Sequence, residues 1–129
     1  MKAFLFAHSS ATPPESVYEI LNSTRAVSTW ASPFPYSAIL LSNLSVSELS
    51  AVLQTHLYGI WFILIEATSE NCNGWLPAQF WEYINDPGKA YSAKLFADLA
   101  KAYMASPQLP RKGLPSLQDL LGLGKGKET

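Results

Sequence analysis

Hydrophobic and polar positions alternate between two periods along this chain, and they mark out its elements in order. Phe4-Leu5-Phe6 is a contiguous apolar run inside residues 2–8, as in a strand buried on both faces. Thr12-Pro13-Pro14-Glu15 then reads as a helix start. Thr12 is the expected N-cap, Pro13 suits the first helical position, and Glu15 completes a capping box. Val17, Ile20 and Leu21 share one helical face, and the helix is expected to stop near residues 22–24. A short strand is expected around Trp30. Pro33 and Pro35 exclude a central strand at residues 32–35 and predict a turn or bulge.

Residues 36–41 form a second apolar strand. Ser45-Val46-Ser47-Glu48 is another capping box, followed by a stripe of Val46, Leu49, Val52, Leu53 and Leu57, with Gly59 as a helix stop. Ile60-Trp61-Phe62-Ile63-Leu64-Ile65-Glu66-Ala67 is the most apolar and β-prone stretch, and it is expected to be a central strand. Strand, helix, short strand, strand, helix, strand is the order of an α+β, ferredoxin-like βαββαβ core.

Beyond this core, Trp75-Leu76-Pro77 leads into a short helix with Phe80, Trp81, Tyr83 and Ile84, of which Trp81 and Ile84 are expected to dock on the core. Asp86 caps a further helix that starts at Pro87 and runs to about Ala105, with Tyr91, Leu95, Leu99, Ala102 and Tyr103 as its apolar face. Residues 106–115 hold three prolines and read as a linker. Ser116 to Asp119 can cap a last short helix that carries Leu117, Leu120 and Leu121 on one side. The expected division is a core over 1–85, a helix packed on it over 86–105, and a linker with an amphipathic tail over 106–129. No repeat is visible.

Composition narrows the class. The chain has 129 residues, 48% apolar and 15% charged, enough for one packed core without staples. Its one cysteine, Cys72, cannot form an internal disulfide or a thiolate cluster, and it fits a reducing compartment. As a nucleophile it would need His8 or His56 as its base. Residues 3–7 are too short a run for a signal sequence, and no run spans a bilayer, so a cytoplasmic protein is expected. Charge is uneven: residues 1–88 carry a net −5 and residues 89–129 a net +4. A basic tail can fold onto an acidic body, its own or a neighbour's, or meet an acidic partner such as nucleic acid.

The GWLPAQFWEYIN stretch at residues 74–85, together with LLSNLS at 40–45, resembles small bacterial ferredoxin-like proteins. These are related in shape to the compact CRISPR-associated integration subunit and to the virulence-associated D-type ribonucleases. The resemblance covers residues 2–85 and implies that fold and dimerisation through sheet edges. Those nucleases carry a metal-binding aspartate at the end of the first strand. Here the matching stretch is Phe6-Ala7-His8-Ser9-Ser10, without a carboxylate. Magnesium prefers oxygen ligands, so metal-dependent cleavage is not expected there.

Candidate chemistry is sparse. His8, Ser9 and Ser10 sit where a strand meets a loop, either as a polar turn or as a nucleophile and base that lack a third member. Glu66 ends the apolar strand, as an outward-facing carboxylate or as an acid–base group. Trp75, Trp30 and Tyr36 are the candidate contact aromatics, with Leu117, Leu120 and Leu121 as a docking stripe. Gly122, Gly124 and Gly126 do not follow a strand and open a helix, so no phosphate loop is expected, nor any metal or cofactor. The expected function is a non-catalytic module that binds itself or a protein partner. The alternative is a relative of the ferredoxin-like nucleases or an RNA binder.

Overall fold

A computed structural model describes residues 1–104 of the chain. The described residues fall into two units, one over residues 1–91 and a second that begins at residue 92. The first unit is α+β. Its strands are β1 (Lys2–His8), β2 (Thr29–Ala31), β3 (Ser37–Ser42) and β4 (Phe62–Ala67). Its helices are α1 (Pro14–Ser23), α2 (Val46–His56) and α3 (Ala78–Asn85), and α4 (Pro87–Met104) begins in it. The four strands form one sheet in the order β2-β3-β1-β4, with every neighbouring pair antiparallel.

Strand alternation gives the sheet two different faces. Phe4, Phe6, Ala38 and Leu40 point to one of them and pack with Val17 and Leu21 of α1 and with Leu49 and Leu53 of α2. Ala3, Ile39, Leu41 and Ala67 point to the other, where Ile84 is buried with them and Phe80 and Trp81 pack alongside. Thus α1 and α2 share one face, and α3 covers only part of the opposite one.

The start of α1 departs from its expected form. The helix begins at Pro14, Pro13 occupies the N-cap in an extended conformation (φ −59°, ψ 138°), and no side chain caps it. The cause is the Pro-Pro pair. A residue that precedes proline is pushed out of the helical region, so Pro13 cannot be the first helical residue and Thr12 falls outside the cap.

The expected box on α2 is complete. Glu48 N–H donates to Ser45 Oγ (3.2 Å), and Ser45 N–H donates to Glu48 Oε1 (2.9 Å). The Ser45 backbone donor, helped by its hydroxyl, holds the Glu48 carboxyl below its ordinary 4.5. A depressed carboxyl stabilises the fold above its unfolded value, and that contribution is lost as pH falls through the folded value. Ser45→Ala removes the Oγ that caps Glu48 N–H and keeps the backbone donor, and it is expected to cost about 1 kcal/mol at neutral pH. The difference from wild type should shrink below pH 4.5, as read by urea unfolding at several pH values.

β4 departs most from expectation, because it lies at the edge of the sheet rather than in its centre. Leu57 ends α2, and the turn that follows places Gly59 at φ +80°, a left-handed conformation that favours glycine. Asp86 caps α4 as expected, accepting from Lys89 N–H at 3.3 Å. Within the first unit, Ala90 of α4 is buried and Tyr91 packs beside it. In the second unit, Leu95, Phe96 and Leu99 are exposed, and Lys94 pairs with Asp98 at 3.7 Å. No helix among the described residues is long and apolar enough to cross a membrane.

Candidate functional site

The polar strand end is bound up in local structure. His8 is buried, and its Nδ1 lies 3.0 Å from the Ser9 carbonyl. A carbonyl only accepts, so Nδ1 carries the proton and donates. Nε2 is left buried without a hydrogen-bond partner. Ser9 Oγ accepts from Ala11 N–H at 3.1 Å, which makes it a turn-former. Ser10 is exposed. His8 thus turns its proton-bearing nitrogen to the backbone rather than to either serine hydroxyl. Its ring lies between Phe6 (5.7 Å between centroids) and Tyr36 (5.6 Å, edge-on).

The candidate aromatics separate into engaged and open ones. Trp30 is engaged: its ring stacks on Tyr18 at 4.7 Å, and its Nε1–H donates to Asn22 Oδ1 at 2.8 Å. Both its apolar body and its polar handle are thus satisfied inside the unit. Tyr36 is partly exposed and sits at φ +66°, a left-handed conformation unusual for a large residue. Ser32 Oγ fixes the Pro-rich turn beside it, lying 2.7 Å from the Phe34 carbonyl and 2.9 Å from Tyr18 Oη. Trp75 is open, at 97% exposure. It stands at the mouth of an apolar cavity of about 210 Å³ walled by Leu5, Phe34, Ile39, Trp81 and Ile84. Leu117, Leu120 and Leu121 lie outside the described residues.

Glu66 is half-buried and points to the face that α1 and α2 cover, opposite Phe4 of β1. No cluster of three or more His, Cys, Asp or Glu side chains that could hold a metal occurs among the described residues. Cys72 is a partly buried thiol at the cavity wall, 3.2 Å from Asn71 Oδ1.

A contiguous open apolar feature among the described residues was not among those singled out from sequence. On the face that α1 and α2 do not cover, β4 shows Trp61 just before its start, then Ile63 and Ile65, at 84%, 59% and 49% exposure. Leu5 of β1 continues this surface, paired with Ile65. Alongside, the outer edge of β4 and α2 frame an open groove lined by Val46, Ser50, Gln54, Trp61 and Ile63. The sequence signal was the odd-numbered alternation Trp61, Ile63, Ile65. It is masked because the even positions, Phe62 and Leu64, are apolar too.

No protein-family model, curated protein or solved structure matches this chain.

Proposed function

We propose that this protein is a non-catalytic interaction module, and that it associates with itself or with a protein partner along the outer edge of β4 and the open sheet face beside it. One observation carries the reading: an edge strand presents Trp61, Ile63 and Ile65 to solvent on the part of its sheet face that α3 leaves open. Edge strands that remain in solution as monomers are blunted by charge, proline or a bulge. From Gly59 to Ile65 there is no charged residue and no proline. The scaffold we propose for it is ferredoxin-like. The antiparallel order β2-β3-β1-β4 supports this, with β3 lying between β1 and β2 and with α1 and α2 on a single face.

Nucleic acid is the weaker partner. The open face is built from β1 and β4 positions that carry no lysine or arginine, and phosphate contacts need cations. Ile63→Lys tests the interaction reading. The site is exposed, so folding stability should change by no more than about 0.5 kcal/mol. Association detected for the wild type, by light scattering or with an isolated partner, should disappear. Association that survives the lysine would show that β4 is not the contact.

A further inference from the structure

Resting on that reading, we infer that the occupant of the β4 edge is a second copy of this chain, paired antiparallel in one register with Ile63 on the two-fold axis. The backbone groups left free on β4 decide the pairing. Ser9 N–H donates to the Trp61 carbonyl at 2.9 Å, so the odd residues of β4 turn their backbone groups toward β1. The even residues Phe62, Leu64 and Glu66 therefore turn theirs outward. One of these outward groups is already taken, because Asn71 Nδ2 donates to the Glu66 carbonyl at 3.1 Å. Asn71 Oδ1 also accepts from Thr68 N–H at 2.8 Å, so its carboxamide closes the edge beyond Glu66. A partner strand must leave the sheet before it reaches that plug.

Only one register of two identical strands meets these conditions well. With Ile63 opposite Ile63, Phe62 of each copy exchanges both backbone bonds with Leu64 of the other. Glu66 then faces Ile60 of the second copy. Ile60 has its own N–H committed to the Leu57 carbonyl at 2.9 Å, so it offers just its carbonyl. Glu66 has its carbonyl committed to Asn71 and offers just its N–H. The two half-committed residues fit each other. The second copy then turns away at Gly59, where φ is +80°, just before the plug. A register shifted by one pair, with Leu64 on the axis, runs Trp61 of the second copy into Asn71.

Side chains favour the same register. Across the open face, Trp61 meets Ile65 of the second copy and Ile63 meets its equivalent, so the three exposed apolar side chains are all matched. Aromatic–β-branched and β-branched pairs of this kind stabilise antiparallel ladders. The only charge in β4, Glu66, lies roughly 20 Å from its equivalent, at about 3.3 Å per residue. That is beyond the ~8 Å screening length of physiological salt, whereas a register that placed the two carboxylates opposite one another would be destabilised. The three side chains expose roughly 400 Å² per copy, about half of what a standard interface takes from each partner. The backbone ladder and the α2 flank add to this, and the pairing should be concentration-dependent.

Disulfide trapping reads the register directly. Residues on the axis form a non-hydrogen-bonded pair with Cα atoms about 4.5 Å apart, within disulfide reach. In a Cys72→Ser background, Ile63→Cys should form a covalent dimer under mild oxidation, and Ile65→Cys alone should not. Light scattering on the wild type should show the molar mass double with concentration. Cross-linking only in a mixture of the Ile63→Cys and Ile65→Cys chains would overturn this register. A wild type that stays monomeric at all concentrations, with no cross-link, would overturn self-pairing. If it then still binds an isolated protein and loses it with Ile63→Lys, the broader interaction reading stands without the second copy.

Discussion

Phe6→Ala is expected to lower the stability of the fold by about 3–5 kcal/mol, the cost of truncating a fully buried aromatic whose surroundings only partly relax. Phe6 has no exposed surface, and its ring meets His8 at 5.7 Å and Phe62 at 5.5 Å between centroids. It also sits on a central strand, opposite Ala38 on one side and Leu64 on the other. Proteins of this size are stable by about 5–15 kcal/mol, so the loss would be a large part of the total. It should appear as a marked drop in the urea midpoint. Leu5→Ala is the internal control. Leu5 is the next residue along β1 but points to the open face, where 40% of it is exposed. Its truncation should cost about 1 kcal/mol or less. Equal losses at the two positions would contradict the assignment of a covered and an open face.

That pair also shows what could be read from the sequence. Phe4, Leu5 and Phe6 are all apolar, which predicts a strand and, by its contiguity, burial on both sides. Phe4 and Phe6 are buried, but Leu5 is not. The same reasoning placed Ile60–Ala67 in the centre of the sheet, and β4 is at its edge. Apolar character fixes that a position prefers to be covered. It does not say whether the cover is a helix of the same chain or a surface from elsewhere. Local signals fared better where the chemistry is local. Ser45 and Glu48 specify their cap within four residues, and Asp86-Pro87 specify theirs within two. The cap at Thr12 failed for an equally local reason, the bias that Pro14 imposes on Pro13.

The candidate site followed the same division. Trp75, a loop aromatic with a polar N–H, reads from the sequence as a contact residue, and it is open to solvent. Trp30 flanks the Pro-rich turn, and that position alone suggests a similar exposure. Its partners, Asn22 and Tyr18, lie eight and twelve residues away on α1, beyond any local pattern. The β4 surface was missed because the identity of the covering element is a property of topology.

Ser42→Ala should have the second largest effect, about 1–3 kcal/mol, and for a different physical reason. Ser42 is fully buried at the end of β3. Its hydroxyl donates to the Ala26 carbonyl at 2.6 Å and accepts from Leu44 N–H at 3.1 Å. One oxygen therefore ties the segment leading into β2 to the turn that leads into α2. The two groups it serves lie 18 residues apart in sequence, so no regular ladder can replace it. Alanine removes little volume but leaves a carbonyl and an N–H with one partner fewer, and a buried polar group left unpaired costs its full desolvation. The loss should exceed that of Ser45→Ala, whose cap is exposed and has water as a substitute. It should also be the same at pH 4 and pH 7, since no titrating group takes part, whereas the Ser45→Ala loss shrinks in acid. Urea unfolding of both variants at the two pH values separates the cases. A Ser42→Ala loss that matched Ser45→Ala in size and in pH dependence would mean that water reaches Ala26 and Leu44, and that this end of β3 is held by something other than the hydroxyl.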